Sequence, residues 1–180
     1  MIRVAIVGNI ASGKSTVEKF IESKGFNVFD TDKIAHSILE NNETIKKEFG
    51  TTDRKELAKI VFSDSAKLKL LESIIHPEVK KELLKIFSTN KPVVFVSVPQ
   101  LFEAGFENLF DKIIYITADE NIRKERLMKR NSISKEEAQR RISAQSEDSK
   151  RERCDYVIEN NGSSENLKLA VNTCLKALQL

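Results

Sequence analysis

Tryptophan is absent from this sequence, and cysteine and histidine occur only twice each. Cys154 and Cys174 show no CxxC or metal-ligand spacing, so a disulfide framework is not expected. They read as free buried thiols in a reducing compartment. His36 and His76 alone cannot build a metal cluster. No stretch reaches the ~20 apolar residues of a bilayer span. The N-terminus is apolar only to Val7, without the long apolar run and cleavage site of a secretory leader. A cytoplasmic location and no membrane partner are therefore expected. The net charge of +3 is small, so no nucleic-acid partner is expected and any basic field must be local.

What is present is ordinary globular composition, with 40% hydrophobic and 32% charged residues among 180. That length suits one domain with a small insertion, burying roughly 70% of its unfolded surface without disulfide help. Ile2–Val7 is a β-branched run ending in glycine, which reads as a buried parallel strand. A helix is predicted from Lys14 to about Ser23, closed by Gly25. A brief strand over 27–29 precedes Asp30-Thr31-Asp32 and a helix over 33–40. Residues 43–88 show helical spacing almost throughout, with His76-Pro77 expected to interrupt it. Further strands are predicted over 92–98, 112–117 and 155–159. Asp119 is placed to cap a helix to about Asn131, and Ser134 with Glu137 to open another through about Gln145. Asn160-Asn161-Gly162 forms a turn before a terminal helix over 164–180. Strands alternating with helices imply an α/β fold, a five-stranded parallel sheet with helices on both faces. The long helical block, about 33–88, is read as a substrate-side subdomain of one 1–180 domain, and about 119–153 as a lid region.

Between the first strand and first helix lies GNIASGKS, which meets the pattern GxxxxGK[ST] through Gly8, Gly13, Lys14 and Ser15. In this context the backbone N–H groups of such a loop wrap nucleotide phosphates, and the helix N-terminus adds dipole and free donors. Lys14 is expected on the β- and γ-phosphates of ATP, and the Ser15 hydroxyl on Mg²⁺. The plainer alternative, a chance glycine turn beside a lysine, does not account for the strand and helix on either side.

The loop alone does not separate kinases from GTPases and ATPases. Asn90-Lys91 is followed by Pro92-Val93, so the NKxD pattern of GTPases is missing. The strand over 92–98 ends in Pro99-Gln100, with Glu103 the nearest acid, so a conventional Walker B acid is absent too. Both absences favour a small-molecule kinase over a hydrolytic switch or motor. Such a kinase needs an acid near the acceptor hydroxyl. Asp30 and Asp32 follow the second strand, at the carboxyl edge of the sheet where ligands bind. For Asp30 helix capping and function are equally open; for Asp32 function is the favoured reading. Between Asn121 and Arg153 there are eleven Lys or Arg and six acids. Most of these charges form a solvated face, but Arg130 and Arg141 flank a helical hairpin able to place a cation over a transferring phosphoryl group. His76 is either a satisfied helix-break residue or a substrate contact.

The strings GNIASGKST, VFDTDKIAH, IIHP, VPQLFE, KRNSISKEEAQRRISAQ and DYVIENNG, in this order and spacing, resemble the dephospho-CoA kinase family over nearly the whole chain. The resemblance implies a P-loop kinase-like three-layer fold and ATP-dependent phosphorylation of the ribose 3′-hydroxyl of dephospho-CoA, with Mg²⁺. It implies a catalytic set of Lys14, Asp32 and Arg141, with Asp32 activating the 3′-hydroxyl. Nucleotide contacts would come from Ala11, Ser12, Gly13, Lys14, Ser15, Thr16, Arg130 and Asn160, the last near the adenine. Substrate contacts would come from Asp32, His76 and Gln145. A monomer or weak homo-oligomer is expected. The rival readings are a nucleoside or nucleotide monophosphate kinase and a nucleotide-binding protein without catalysis. Asn9 and Ala11 stand where the family usually has glycine; Asn tolerates a left-handed backbone, while Ala11 is expected at negative φ. His36 replaces a common arginine, Gln100 a common leucine and Cys154 a common alanine.

Overall fold

Short β-branched runs and amphipathic segments alternate along the chain, and the computed structural model, which describes residues 1–89, 91–145 and 148–180, resolves them into a layered α/β arrangement. In chain order the elements are β1 (Ile2–Gly8), α1 (Lys14–Ser23), β2 (Val28–Asp30), α2 (Thr31–Glu40), α3 (Glu43–Phe49), α4 (Arg54–Phe62) and α5 (Ser65–Phe87). Then follow β3 (Val93–Ser97), a 3₁₀ turn over Glu107–Leu109, β4 (Lys112–Thr117), α6 (Glu120–Asn131), α7 (Lys135–Ser143), the short α8 (Asp148–Arg151), β5 (Tyr156–Glu159) and α9 (Ser164–Ala177). Among the described residues no helix is long and apolar enough to cross a membrane.

The five strands form one parallel sheet in the order β2-β3-β1-β4-β5. β1 is central: Ile2 to Ile6 pair with Val93 to Ser97, and Val4 to Gly8 with Lys112 to Ile116. Its neighbours come from later in the chain on both sides, so the carboxyl end of β1 lies at a switch point where α/β sheets open a crevice. Gly8 and Ser97 both end there. Val4, Ile6, Phe95, Ile114 and Ile116 join Val17 and Ile21 of α1 and Leu167, Val171 and Leu175 of α9 in the main core. The alternate residues Ala5, Val7, Val94, Val96, Ile113 and Tyr115 are buried too. Both faces are covered, which is why these strands read as continuous apolar runs.

The chain divides into two compact units, Met1–Phe29 with Pro92–Leu180, and Asp30–Lys91. The elements that lie wholly within the second are the helices α2 to α5. Asp30, Asn42, Asp53 and Asp64 cap α2, α3, α4 and α5, each accepting from a first-turn N–H. Leu39, Ile45, Leu57, Val61 and Leu71 form its core, with Phe49, Leu68, Ile74 and Ile75 against them. The interruption expected at His76-Pro77 does not occur: α5 runs through Pro77. An internal proline costs about 3 kcal/mol. Packing of Leu71, Ile74 and Ile75 before it, and burial of Val79 and Leu83 after it, outweigh that cost.

Other boundaries move for local reasons. α2 starts at Thr31, because Asp30 caps it through the Asp32 N–H at 2.8 Å. Asp119 holds the N-cap position of α6 without capping it; its carboxylate accepts from Asn161 Nδ2 at 2.8 Å instead. Ser134 Oγ does cap α7, accepting from the Glu137 N–H at 3.2 Å, but the Glu137 carboxylate turns to Arg140 and Arg141.

Candidate active site

The loop from Gly8 to Ser15 takes its shape from two glycines and one turn. A Cβ on Gly8 would lie 2.7 Å from the Ile116 carbonyl oxygen and 2.8 Å from Ser12 Oγ. A Cβ on Gly13 would lie 2.1 Å from Asn160 Nδ2, and Gly13 is left-handed at φ 95°. The Ser12 N–H donates to the Asn9 carbonyl at 3.1 Å, closing a four-residue turn with Ala11 in third position. A turn of type II requires positive φ there. Ala11 has φ 61°, so the expected negative φ is corrected by the turn. Asn9 is not among the left-handed residues. Ala11 and Ile10 pack against Leu127, Ala138 and Ile142, the small core shared by α6 and α7.

α1 begins at Lys14 with no side-chain cap and no acid in its first turn. Its leading N–H groups and positive dipole end therefore face the loop, a ready anion site. Lys14 Nζ donates to Glu18 Oε1 at 2.7 Å and to Ser97 Oγ. Ser15 and Thr16 are exposed at the same helix end.

Asn160 follows β5, and its own N–H donates to the Thr117 carbonyl at 2.8 Å. From there its buried Nδ2 donates to the Ser12 carbonyl at 2.8 Å. Arg126 of α6 braces the same place, with NH2 donating to the Asn160 carbonyl at 2.9 Å and NH1 to that of Ser12 at 3.4 Å. Gln145 Oε1 accepts from the Ile10 N–H at 2.8 Å. Arg123, 1% exposed, donates from Nε to the Ala118 carbonyl at 3.0 Å and anchors the start of α6.

The structure thus brings together Ala11, Ser12, Gly13, Lys14, Asn160 and Gln145. Arg130 and Arg141 point elsewhere: both are exposed, Arg130 donating to its neighbour Asn131 and Arg141 to Glu137. Arg141, together with Arg140, holds the Glu137 carboxyl below the usual carboxylate range. Asp32, in the first turn of α2, and His76, half-buried on α5, belong to the helical unit. Asp30 caps α2 through the Asp32 N–H. His36 Nε2 lies 3.3 Å from Glu40 Oε1.

Three residues at the loop escape sequence reading as site residues: Arg126, Glu18 and Ser97. Arg126 lies one helical turn before the expected Arg130, and only its spacing hints at a shared face. Glu18, four residues after Lys14, carries the same kind of signal. Nothing in the sequence marks Ser97, 83 residues from Lys14.

Comparison with known proteins shows the family. The dephospho-CoA kinase family model matches residues 2–166. A dephospho-CoA kinase of Thermus thermophilus is 40% identical over 186 residues, covering 98% of this chain and 92% of its own length. A crystal structure of a Thermus thermophilus protein, 40% identical, superposes with a TM-score of 0.87 over 98% of this chain and 97% of that one. The dephospho-CoA kinase of Campylobacter jejuni, 30% identical, gives 0.74 over 98% and 96%. With the phosphate loop, its lysine and the Asn160 brace in place, the chain belongs to the dephospho-CoA kinase family.

Proposed function

We propose that this protein transfers the γ-phosphoryl group of ATP to the ribose 3′-hydroxyl of dephospho-CoA, giving coenzyme A and ADP. The observation that carries the reading is the loop itself, with an uncapped helix N-terminus, two glycines that admit no side chain and a lysine at the first helical position. The loop N–H groups from Ala11 to Thr16 and Lys14 Nζ hold the phosphates. Asn160 and Arg126 fix the loop's far side towards the adenine.

Mg²⁺ fits the donors present. Ser15 offers one exposed hydroxyl at the helix start, and among the described residues no cluster of three His, Cys, Asp or Glu competes for a metal. A cation that keeps waters and phosphate oxygens as most of its ligands asks no more of the protein. When bound, it supplies charge neutralisation along the triphosphate.

Asp32 takes the 3′-hydroxyl proton as that oxygen attacks the γ-phosphorus and ADP leaves. Its support is its place after β2, at the carboxyl edge of the sheet, with the capping duty of that turn carried by Asp30. His76 and Gln145 contact the acceptor side, with residues 33–88 as the substrate-side part. Arg130 and Arg141 belong to a lid over 119–153 and offer their charge to the phosphoryl group on closure. We place the protein in the cytoplasm as a monomer or weak homo-oligomer.

The test is coupled ADP release with dephospho-CoA as acceptor. Saturable turnover is expected. Turnover with a nucleoside or nucleotide but none with dephospho-CoA would move the chain to another kinase activity, and ATP binding without transfer to any acceptor would make it a binding protein.

A further inference from the structure

The pair Lys14–Glu18 is the wrong way round for a helix. It sets a cation at the N-terminus of α1 and an anion one turn inward, against the macrodipole. Lys before Glu at this spacing is also the weaker order. The pair is nevertheless withdrawn from water, with side-chain exposures of 20% and 14%, where Lys81–Glu78 has 63% and 46%. A charge pair held that far from solvent costs desolvation, and helix propensity gives nothing in return. Its geometry points to the lysine as the beneficiary.

Lys14 Nζ has a second partner in Ser97, the last residue of β3, which is fully buried. An ammonium carries three donors. Glu18 and Ser97 engage two of them from fixed elements, a helix and a central strand, and so aim the third. In P-loop enzymes the acid beside the phosphate site ordinarily comes from the end of a buried strand. Here the strand end next to the lysine offers a hydroxyl, and the carboxylate arrives from α1.

We propose that Glu18 is a positioning residue for phosphoryl transfer. It supplies from helix α1 the carboxylate that the β3 strand end lacks, and with Ser97 it fixes Lys14 Nζ. The proposal rests on the kinase reading above. Two consequences follow from the charge. Glu18 partly neutralises Lys14, so removing it does not weaken ground-state nucleotide binding. It also sets where Lys14 points, so removing it slows the reaction, which is sensitive to misplacement of its groups.

The experiment compares wild type, Glu18→Gln and Glu18→Gln/Ser97→Asp, measuring kcat and KM with ATP and dephospho-CoA, ADP affinity by calorimetry, and thermal melting. For Glu18→Gln, kcat falls about tenfold, the size of one charge-assisted hydrogen bond, while ADP affinity is unchanged or higher. Ser97→Asp in that background returns a carboxylate to Nζ from the strand side and restores most of the turnover. Turnover of Glu18→Gln within about twofold of wild type, or a parallel loss of kcat and ADP affinity, overturns the proposal. So does a folded double variant no faster than Glu18→Gln. If the double variant does not fold, the split between kcat and ADP affinity in Glu18→Gln decides. Inactive wild type would count against the kinase reading instead; on any acceptor that wild type does use, the ranking of variants tests Glu18 alone.

Discussion

Gly13 shows how little freedom single positions in the loop have. An alanine there would need both a left-handed backbone and space already taken by Asn160 Nδ2. Gly13→Ala should therefore destabilise the fold by about 2 kcal/mol or more and abolish ATP binding, as read by thermal melting and calorimetry. At Ala11 the turn tolerates a methyl group but nothing branched: Ala11→Val, at φ 61°, should cost about 2 kcal/mol. Asp32 allows a kinetic test. Asp32→Asn should cut turnover about 10²- to 10⁴-fold while leaving ATP affinity nearly intact; unchanged turnover would remove Asp32 from the mechanism. The loop was legible in the sequence because its glycines and lysine are local and spaced by one pattern. The backbone sign at Ala11 was not, because it follows from a hydrogen bond that closes the turn, and composition favours the opposite sign.

Among the elements, the parallel strands and most helices follow directly from apolar runs, helical spacing and capping residues. Pro77 misleads, since local preference argues for a break and burial along α5 overrides it. Arg126 and Gln145 were obscure as loop braces for a different reason: they reach Ser12 and Ile10 from 114 and 135 residues away. A further long-range tie joins the starts of two neighbouring strands. Arg3 donates to Asp111 from its backbone N–H at 2.8 Å, from Nε at 2.9 Å and from NH2 at 2.5 Å. The Arg3 side chain thereby holds the Asp111 carboxyl below its ordinary range. A depressed carboxyl stabilises the fold above its unfolded pKa, and that contribution is lost as pH falls through the folded value. Asp111→Asn should thus lower stability at neutral pH by about 1 kcal/mol, given solvent screening at this half-open site. The difference from wild type should shrink on acidification below the ordinary carboxylate range, as followed by urea melts across pH.

At the scale of the whole molecule, the sheet buries both faces, and α9 places one thiol, Cys174, in the main core, with Cys154 half-buried before β5. Burial pushes both thiols up to about 11. Both are protonated at neutral pH, so a disulfide exchange reagent should label the native protein slowly at pH 7, faster only as pH approaches that value, and at once after unfolding. Rapid native labelling at pH 7 would contradict the packing described. The family is legible in the sequence because its motifs are spread over residues 2–166. The position phosphorylated distinguishes this activity from every rival. Incubation of the protein with ATP and dephospho-CoA, followed by phosphorus NMR of the purified product, tests it most directly. One new phosphate monoester on the ribose 3′-oxygen and stoichiometric ADP are expected. A phosphate at any other position, or ADP formed without phosphorylated acceptor, would contradict this activity.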